Sequence, residues 1–135
     1  MTPNETVAEV WRRIASRDWD GFGALLAPDV VLELPASRER VTGRANVIAV
    51  NAEYPDGWSI DVRRIVGGDE AAVAGTAVVV VSEVNMPLAD VGVFAAASFW
   101  TVVDGRVTRL REYWVLIGGD EAPEWRRPYA ERLSD

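Results

Sequence analysis

Residues 104–116 read Asp-Gly-Arg-Val-Thr-Arg-Leu-Arg-Glu-Tyr-Trp-Val-Leu, and the alternation in this stretch decides how the chain folds. Asp104-Gly105 is a strong two-residue hairpin signal, so a strand leads into it and a strand leaves it. Along the departing strand Arg109, Arg111 and Tyr113 point to one side, and Leu110, Glu112, Trp114 and Leu116 to the other. The first set suits a solvated or interfacial face and the second a buried one. Glu112 is then a lone carboxylate between Leu and Trp on a core face. A group in that position must be paired, protonated or used.

Upstream of this hairpin, residues 91–103 form the returning strand and residues 85–90 a turn containing Pro87. Residues 71–84 are a nearly continuous apolar run, expected as a central strand covered on both faces. Residues 58–66 alternate and stop at Gly67-Gly68-Asp69. The first third of the chain is helical in pattern. Thr2-Pro3-Asn4-Glu5 has the form of a capping box with proline at the first helical position, and Val7, Val10, Trp11 and Ile14 follow at helical spacing. That helix is expected to run to about Arg17. Asp18 can cap a second, short helix with Trp19, Phe22, Leu25 and Leu26 as its stripe, broken at Ala27-Pro28-Asp29. A short strand over residues 30–34, a polar loop over 37–41 and a third helix from Gly43 through Tyr54 complete this part. Downstream, Gly118-Gly119-Asp120 ends the last strand, and the tail with Trp125 and Tyr129 suits a short helix or a lid. Helices first and an antiparallel meander after them argue for an α+β class.

The composition bounds the function. The chain has 135 residues, 49% hydrophobic and 26% charged, which suits one domain spanning 1–135 with a sizeable core. A formal net charge of −7 argues against a nucleic-acid partner. No apolar run reaches the ~20 residues of a membrane span. The N-terminus lacks the pattern of a secretory signal, so a cytoplasmic protein with no membrane partner is expected. The chain has no cysteine and no histidine, which removes thiol chemistry and the commonest metal ligand. No carboxylate cluster suits a metal, so no cofactor is expected, and Glu112 gains weight as an acid–base group.

Several local strings, in this order, resemble the SnoaL-like branch of the NTF2-like superfamily. Asp18-Trp19-Asp20-Gly21-Phe22 followed by Leu25-Leu26-Ala27-Pro28-Asp29-Val30 is similar to that family's second helix leading into its first strand. Val41-Thr42-Gly43-Arg44 resembles its turn into the third helix. Asp104-Gly105-Arg106-Val107 with Arg111-Glu112-Tyr113-Trp114 resembles its last hairpin. The likeness covers roughly residues 5–117. It implies an α+β cone, in which a strongly curved, mainly antiparallel sheet wraps around the N-terminal helices and encloses a hydrophobic pocket, often in a homodimer. The fold hosts many activities, so the resemblance alone does not choose among them.

Against the family's known chemistries the chain keeps little. Ketosteroid isomerase-like members use an aspartate base whose position falls on Leu34, a tyrosine whose position falls on Val10 and an acid whose position falls near Ser98. Limonene-epoxide-hydrolase-like members use an Asp–Arg–Asp set, of which the arginine and the first aspartate fall on Val79 and Val81 and only Glu112 survives. Glu83 is expected to share the inward parity of those two valines. Polyketide-cyclase-like members place a single acid at the position of Glu112 and act on substrates that enolise easily, which needs few protein groups.

The resemblance therefore implies a cofactor-independent cyclase or isomerase with Glu112 as acid or base. Trp11, Leu34, Tyr54, Phe94, Ser98, Trp100 and Trp114 are the candidates to hold an apolar or aromatic, polyketide-like ligand. Each feature also has a plainer reading. Glu112 would be ion-paired with Arg12, Arg13 or Arg44 or exposed at the pocket mouth, the tryptophans would be core, and Tyr54 with Asn51 would make interior hydrogen bonds or sit at an exposed tip. Trp58 and Trp125 would cover the pocket mouth or cap the core. The alternative function is a non-catalytic ligand-binding or dimerisation domain, and the residues do not decide between the two.

Overall fold

The structure, a computed structural model, describes residues 1–133. The first helix, α1 (Pro3–Ala15), begins with the capping box its sequence announces. Thr2 Oγ1 accepts from the Glu5 backbone N–H at 3.1 Å, and the Thr2 N–H donates to Glu5 Oε1 at 2.9 Å. The two bonds satisfy two donors that a helix start otherwise leaves unpaired. Val7, Val10, Trp11 and Ile14 form its buried stripe. Asp18 caps α2 (Trp19–Ala24), its Oδ1 accepting from the Gly21 N–H at 2.9 Å. Arg17 joins the two helices at φ +59°, a conformation that usually calls for glycine or asparagine. Its guanidinium is held by the Trp58 carbonyl at 2.6 Å and lies 3.5 Å from the centre of the Trp58 ring. These contacts offset the backbone cost and tie the helix turn to the loop before the sheet's second half.

Six strands follow the order β2-β1-β6-β5-β4-β3. They are β1 (Leu26–Leu34), β2 (Glu39–Thr42), β3 (Asp61–Val66), β4 (Val78–Leu88), β5 (Gly92–Val103) and β6 (Arg106–Leu116), with α3 (Arg44–Ala52) between β2 and β3. The β5–β6 turn is Asp104-Gly105, both at positive φ (49° and 74°), the geometry in which a two-residue hairpin matches strand twist. Four of the strand pairings are antiparallel, and β1 runs parallel to β6.

The α+β class agrees with the reading of the sequence, but the cone does not. The sheet is open, with β2 and β3 as edges that do not meet, and it is neither closed nor strongly curled. The physical reason lies in the long ladder between β4 and β5. From Val78↔Val102 to Leu88↔Gly92, β4 and β5 keep one register without a shift, so no bulge interrupts that ladder. The irregularities sit elsewhere, between Leu26 and Val31, between Val62 and Arg64, and between Thr101 and Val102. The first of these falls on Ala27-Pro28-Asp29, where proline removes a ladder donor. The break expected there interrupts a strand that has already begun at Leu26.

Other boundaries moved too. The polar loop at 37–41 contains the edge strand β2, and the turn with Pro87 belongs to β4, which starts only at Val78. The strand expected from residue 58 begins at Asp61, with Trp58 making one isolated bridge to Leu88. β4 is not covered on both faces. Val80, Ser82, Val84 and Met86 are buried, while Val79 is 54% exposed. The helices lie on one face of the sheet, α1 against β3, β4 and β5, and α3 against β1 and β2. The core between them includes Val10, Phe22, Leu26, Val47, Val84, Trp100 and Val107. The C-terminal tail forms an exposed 3-10 helix, η1 (Glu124–Tyr129).

Replacing the capping residue tests how α1 is held. Thr2→Ala is expected to lower stability by about 1 kcal/mol and Thr2→Ser to leave it nearly unchanged, read as urea-unfolding midpoints.

Candidate functional site

Trp11 and Trp100 meet edge to face, their ring centres 5.5 Å apart, beneath the middle of the sheet. Both indole N–H groups donate to one oxygen, Ser82 Oγ, at 3.1 and 2.8 Å. A buried indole needs such an acceptor, and β4 supplies it from its inward face. Beside the two rings lies a cavity of about 290 Å³. Its wall is built by Trp11 and Ile14 of α1, Phe22 of α2, Leu32 and Leu34 of β1, Met86 of β4, Phe94 and Trp100 of β5, and Leu110, Glu112 and Trp114 of β6. Val50 and Asn51 of α3, with Tyr54, Trp58 and Ile60 of the loop after it, complete the lining. Val50 and Tyr54 are exposed, which puts the mouth at the end of α3.

Glu112 stands on this wall with only 8% of its surface exposed. Its Oε2 accepts from Ser98 Oγ at 2.7 Å, and its Oε1 lies 3.4 Å from Trp114 Nε1. No cation reaches it among the described residues. Arg12 pairs with Glu9, Arg13 with Glu9 and Asp18, and Arg44 donates to the Leu26 carbonyl at 2.7 Å. The ion pair held open by the sequence is therefore not formed. Burial pushes the Glu112 carboxyl above the ordinary glutamate range, and the bonds from Ser98 and Trp114 pull only partly the other way. The contrast is Glu33 on the outer face of the same sheet. Arg109, bonded to it at 2.9 Å, holds that carboxyl below its usual range.

The structure thus brings Glu112, Trp11, Leu34, Tyr54, Phe94, Trp100 and Trp114 to one cavity wall, while Ser98 sits behind it, fully buried and bonded to Glu112. Asn51 lines the cavity but spends its amide N–H on the Val47 carbonyl at 2.8 Å. Trp58 lines the cavity, whereas Trp125 is 72% exposed and is not part of its wall. Leu116, expected inward, is 39% exposed at the end of β6. The expected parity of β4 is reversed. Glu83, like Val79 and Val81, belongs to the outer face, where Glu83 pairs with Arg64 at 2.9 Å. Ser82 is the residue that the sequence reading passed over. A serine inside a run of valines is the available signal, and the face it takes is not, because the valines before it carry no alternation. Among the described residues no group of three His, Cys, Asp or Glu could hold a metal ion, and no helix is long and apolar enough to cross a membrane.

The raised carboxyl has a consequence for stability, whose sign follows from proton counts. The folded chain keeps the Glu112 proton at pH values where the unfolded chain has lost it, so the unfolded state binds fewer protons and stability falls as pH rises. The loss begins at the ordinary glutamate pKa and ends above the folded value. Glu112→Gln removes this contribution. Urea unfolding across a pH series is expected to show the variant gaining stability relative to wild type as pH rises through that window.

Comparison with known proteins places this geometry. The SnoaL-like domain family matches residues 7–110. A candidate ketosteroid isomerase from Kribbella flavida DSM 17836 is 32% identical, with 98% of this chain and 90% of that one covered and a TM-score of 0.83. An NTF2-like protein of unknown function from Burkholderia xenovorans LB400 is 22% identical over 96% of this chain and 94% of that one, with a TM-score of 0.71. A candidate polyketide cyclase from Pseudomonas putida KT2440 is 23% identical over 87% of this chain and 94% of that one, with a TM-score of 0.65. No curated protein matches. The chain belongs to the SnoaL-like domain family.

Proposed function

We propose that the cavity binds an uncharged, largely apolar ring compound and that Glu112 moves a proton on it, in a cofactor-independent cyclisation or isomerisation. The observation that carries this reading is a buried carboxyl on an apolar cavity wall with no cation beside it. Raised by burial, the carboxyl can hold a proton nearer neutral pH than an exposed glutamate can. The lining has no arginine or lysine to receive an anionic ligand. A cavity of about 290 Å³ lies at the small end of ligand pockets, which favours a compact ligand. Likeness to a candidate ketosteroid isomerase and, at the level of the fold, to a candidate polyketide cyclase supports the same class.

For such a substrate, Glu112 as carboxylate would take a proton from carbon next to a carbonyl. The C–H bond breaks, the O–H bond forms, and the electron pair moves into the enolate. The same carboxylic acid would then return the proton at another carbon or, in a cyclisation, to the alkoxide left when the enolate carbon bonds to a second carbonyl carbon and the π pair of that carbonyl moves onto its oxygen. A second reading, a binding domain without turnover, draws on the scarcity of other polar groups. Asn51 is engaged with its own helix and Tyr54 sits at the exposed rim.

Incubating the protein with a β,γ-unsaturated cyclic ketone separates the two. Isomerisation that Glu112→Gln reduces by at least about a hundredfold, with ligand-induced tryptophan fluorescence change retained, is the expected result. Binding without turnover would favour the second reading.

The outer face of the sheet is the proposed contact between two copies of the chain. Val79, Phe99, Tyr113 and Val115 are exposed there, with Phe99 and Tyr113 packed edge to face. Arg109 and Arg111 flank this patch on the β6 side and Glu83 on the β4 side, so a two-fold axis through β5 would set opposite charges against each other. Light scattering is expected to give a dimer, and Phe99→Asp a monomer.

A further inference from the structure

Ser82, Ser98 and Glu112 stand in one row across three strands. Ser82 faces Ser98 across β4 and β5, and Ser98 faces Glu112 across β5 and β6. Both serines are fully buried. A serine hydroxyl has one proton to donate and two lone pairs to accept with. At Ser82 both lone pairs are taken, by the indole N–H groups of Trp11 and Trp100. Ser98 therefore cannot use its cross-strand neighbour as an acceptor. Its proton goes to Glu112 Oε2, at 2.7 Å.

We propose that Ser98 is a positioning residue that selects which oxygen of Glu112 carries and exchanges the proton, its hydroxyl turned to Oε2 because Ser82, occupied by the two tryptophans, offers it no acceptor. Held as an acceptor, Oε2 is the carbonyl oxygen of the neutral acid. The proton then resides on Oε1, which accepts only the longer contact, 3.4 Å, from Trp114 Nε1. When Oε1 releases its proton, the charge left behind is shared with Oε2. The Ser98 bond tightens as it becomes a bond to an ion. The Ser98 hydroxyl is thus a graded stabiliser of the ionised state and sits out of reach of the ligand. Among the residues lining the cavity, Tyr54 at the rim is the other titratable group, and the nearest helix arginines are engaged as described above. This inference rests on Glu112 as the proton-transfer group only for its catalytic consequence. The geometry of the row stands apart from it.

An infrared pH titration of the full chain reads the row directly, with the protonated-carboxyl band assigned by its loss in E112Q. Ser98→Ala is expected to move the Glu112 midpoint up by about one pH unit, because the carboxylate loses its strongest donor. Ser98→Thr keeps the hydroxyl and is expected to hold the wild-type midpoint. Ser82→Ala orphans two indole N–H groups and lowers the unfolding midpoint, but it leaves the Ser98 bond in place, so the carboxyl midpoint is expected to stay. An unchanged midpoint in Ser98→Ala, or an equal shift in Ser82→Ala, would overturn the proposal. A shift in Ser98→Ala alongside undiminished turnover in E112Q would keep the row and reject Glu112 as the acid.

Discussion

One serine oxygen serves two buried indoles, and much of the interior is arranged around that economy. Trp11 arrives from α1 and Trp100 from β5, and each brings an N–H that an apolar core cannot leave unpaired. Sharing Ser82 lets both rings be buried with no other polar group spent on them. It also locks their planes nearly at right angles, 85° apart. Those rings are a wall of the cavity, so the hydrogen bonds that satisfy the core also keep its space open and shaped. A cavity walled by rigid rings is preorganised for a flat ligand.

The other constraint is the carboxylate. Desolvation disfavours the charged form of Glu112, and the fold answers with a hydroxyl from Ser98 and a longer contact from Trp114 instead of an arginine. An ion pair would have pinned the group in its charged state. A neutral donor leaves both protonation states accessible, which a residue that gives and takes protons requires. The arginines are kept on the opposite face. There Arg40, Arg109 and Arg111 surround Glu33, with closest contacts of 2.9 to 3.9 Å. The same strand, β6, therefore presents cations outward and an unpaired acid inward.

The strand that shows this most clearly, β6, was also the most legible in the sequence. Polar and apolar residues alternate there, so the side on which Glu112 lies could be read directly. α1 was legible for a similar reason, since its capping box and apolar spacing point the same way. β4 was not, because Val78 to Val81 are alike and carry no alternation. A shift of parity by one residue is therefore invisible in the sequence, and it exchanges the faces of Ser82 and of Glu83 and Val79. β2 was missed because an edge strand of four residues, mostly exposed, needs no apolar pattern. The curvature of the sheet could not come from pattern at all. It depends on where bulges fall between strands distant in the chain, and the expectation of a cone came from likeness alone. The residues around the cavity were largely readable as core. That they leave a cavity depends on how the helices sit over the sheet, which no single strand encodes.

The unbroken register of β4 with β5 also governs how this protein can change over evolutionary time. Within those strands a one-residue insertion would rotate every later side chain to the opposite face. Ser82, Ser98 and Trp100 would leave the interior together. Substitution is thus the tolerated route to a new pocket, one wall residue at a time. Length variation is confined to the connections, such as residues 89–91, residues 67–77 and the tail beyond β6. Lineages of this domain should accordingly differ in loop length at the sheet's ends while keeping strand lengths in the centre, and a new ligand preference can arise without disturbing the hydrogen-bonded row.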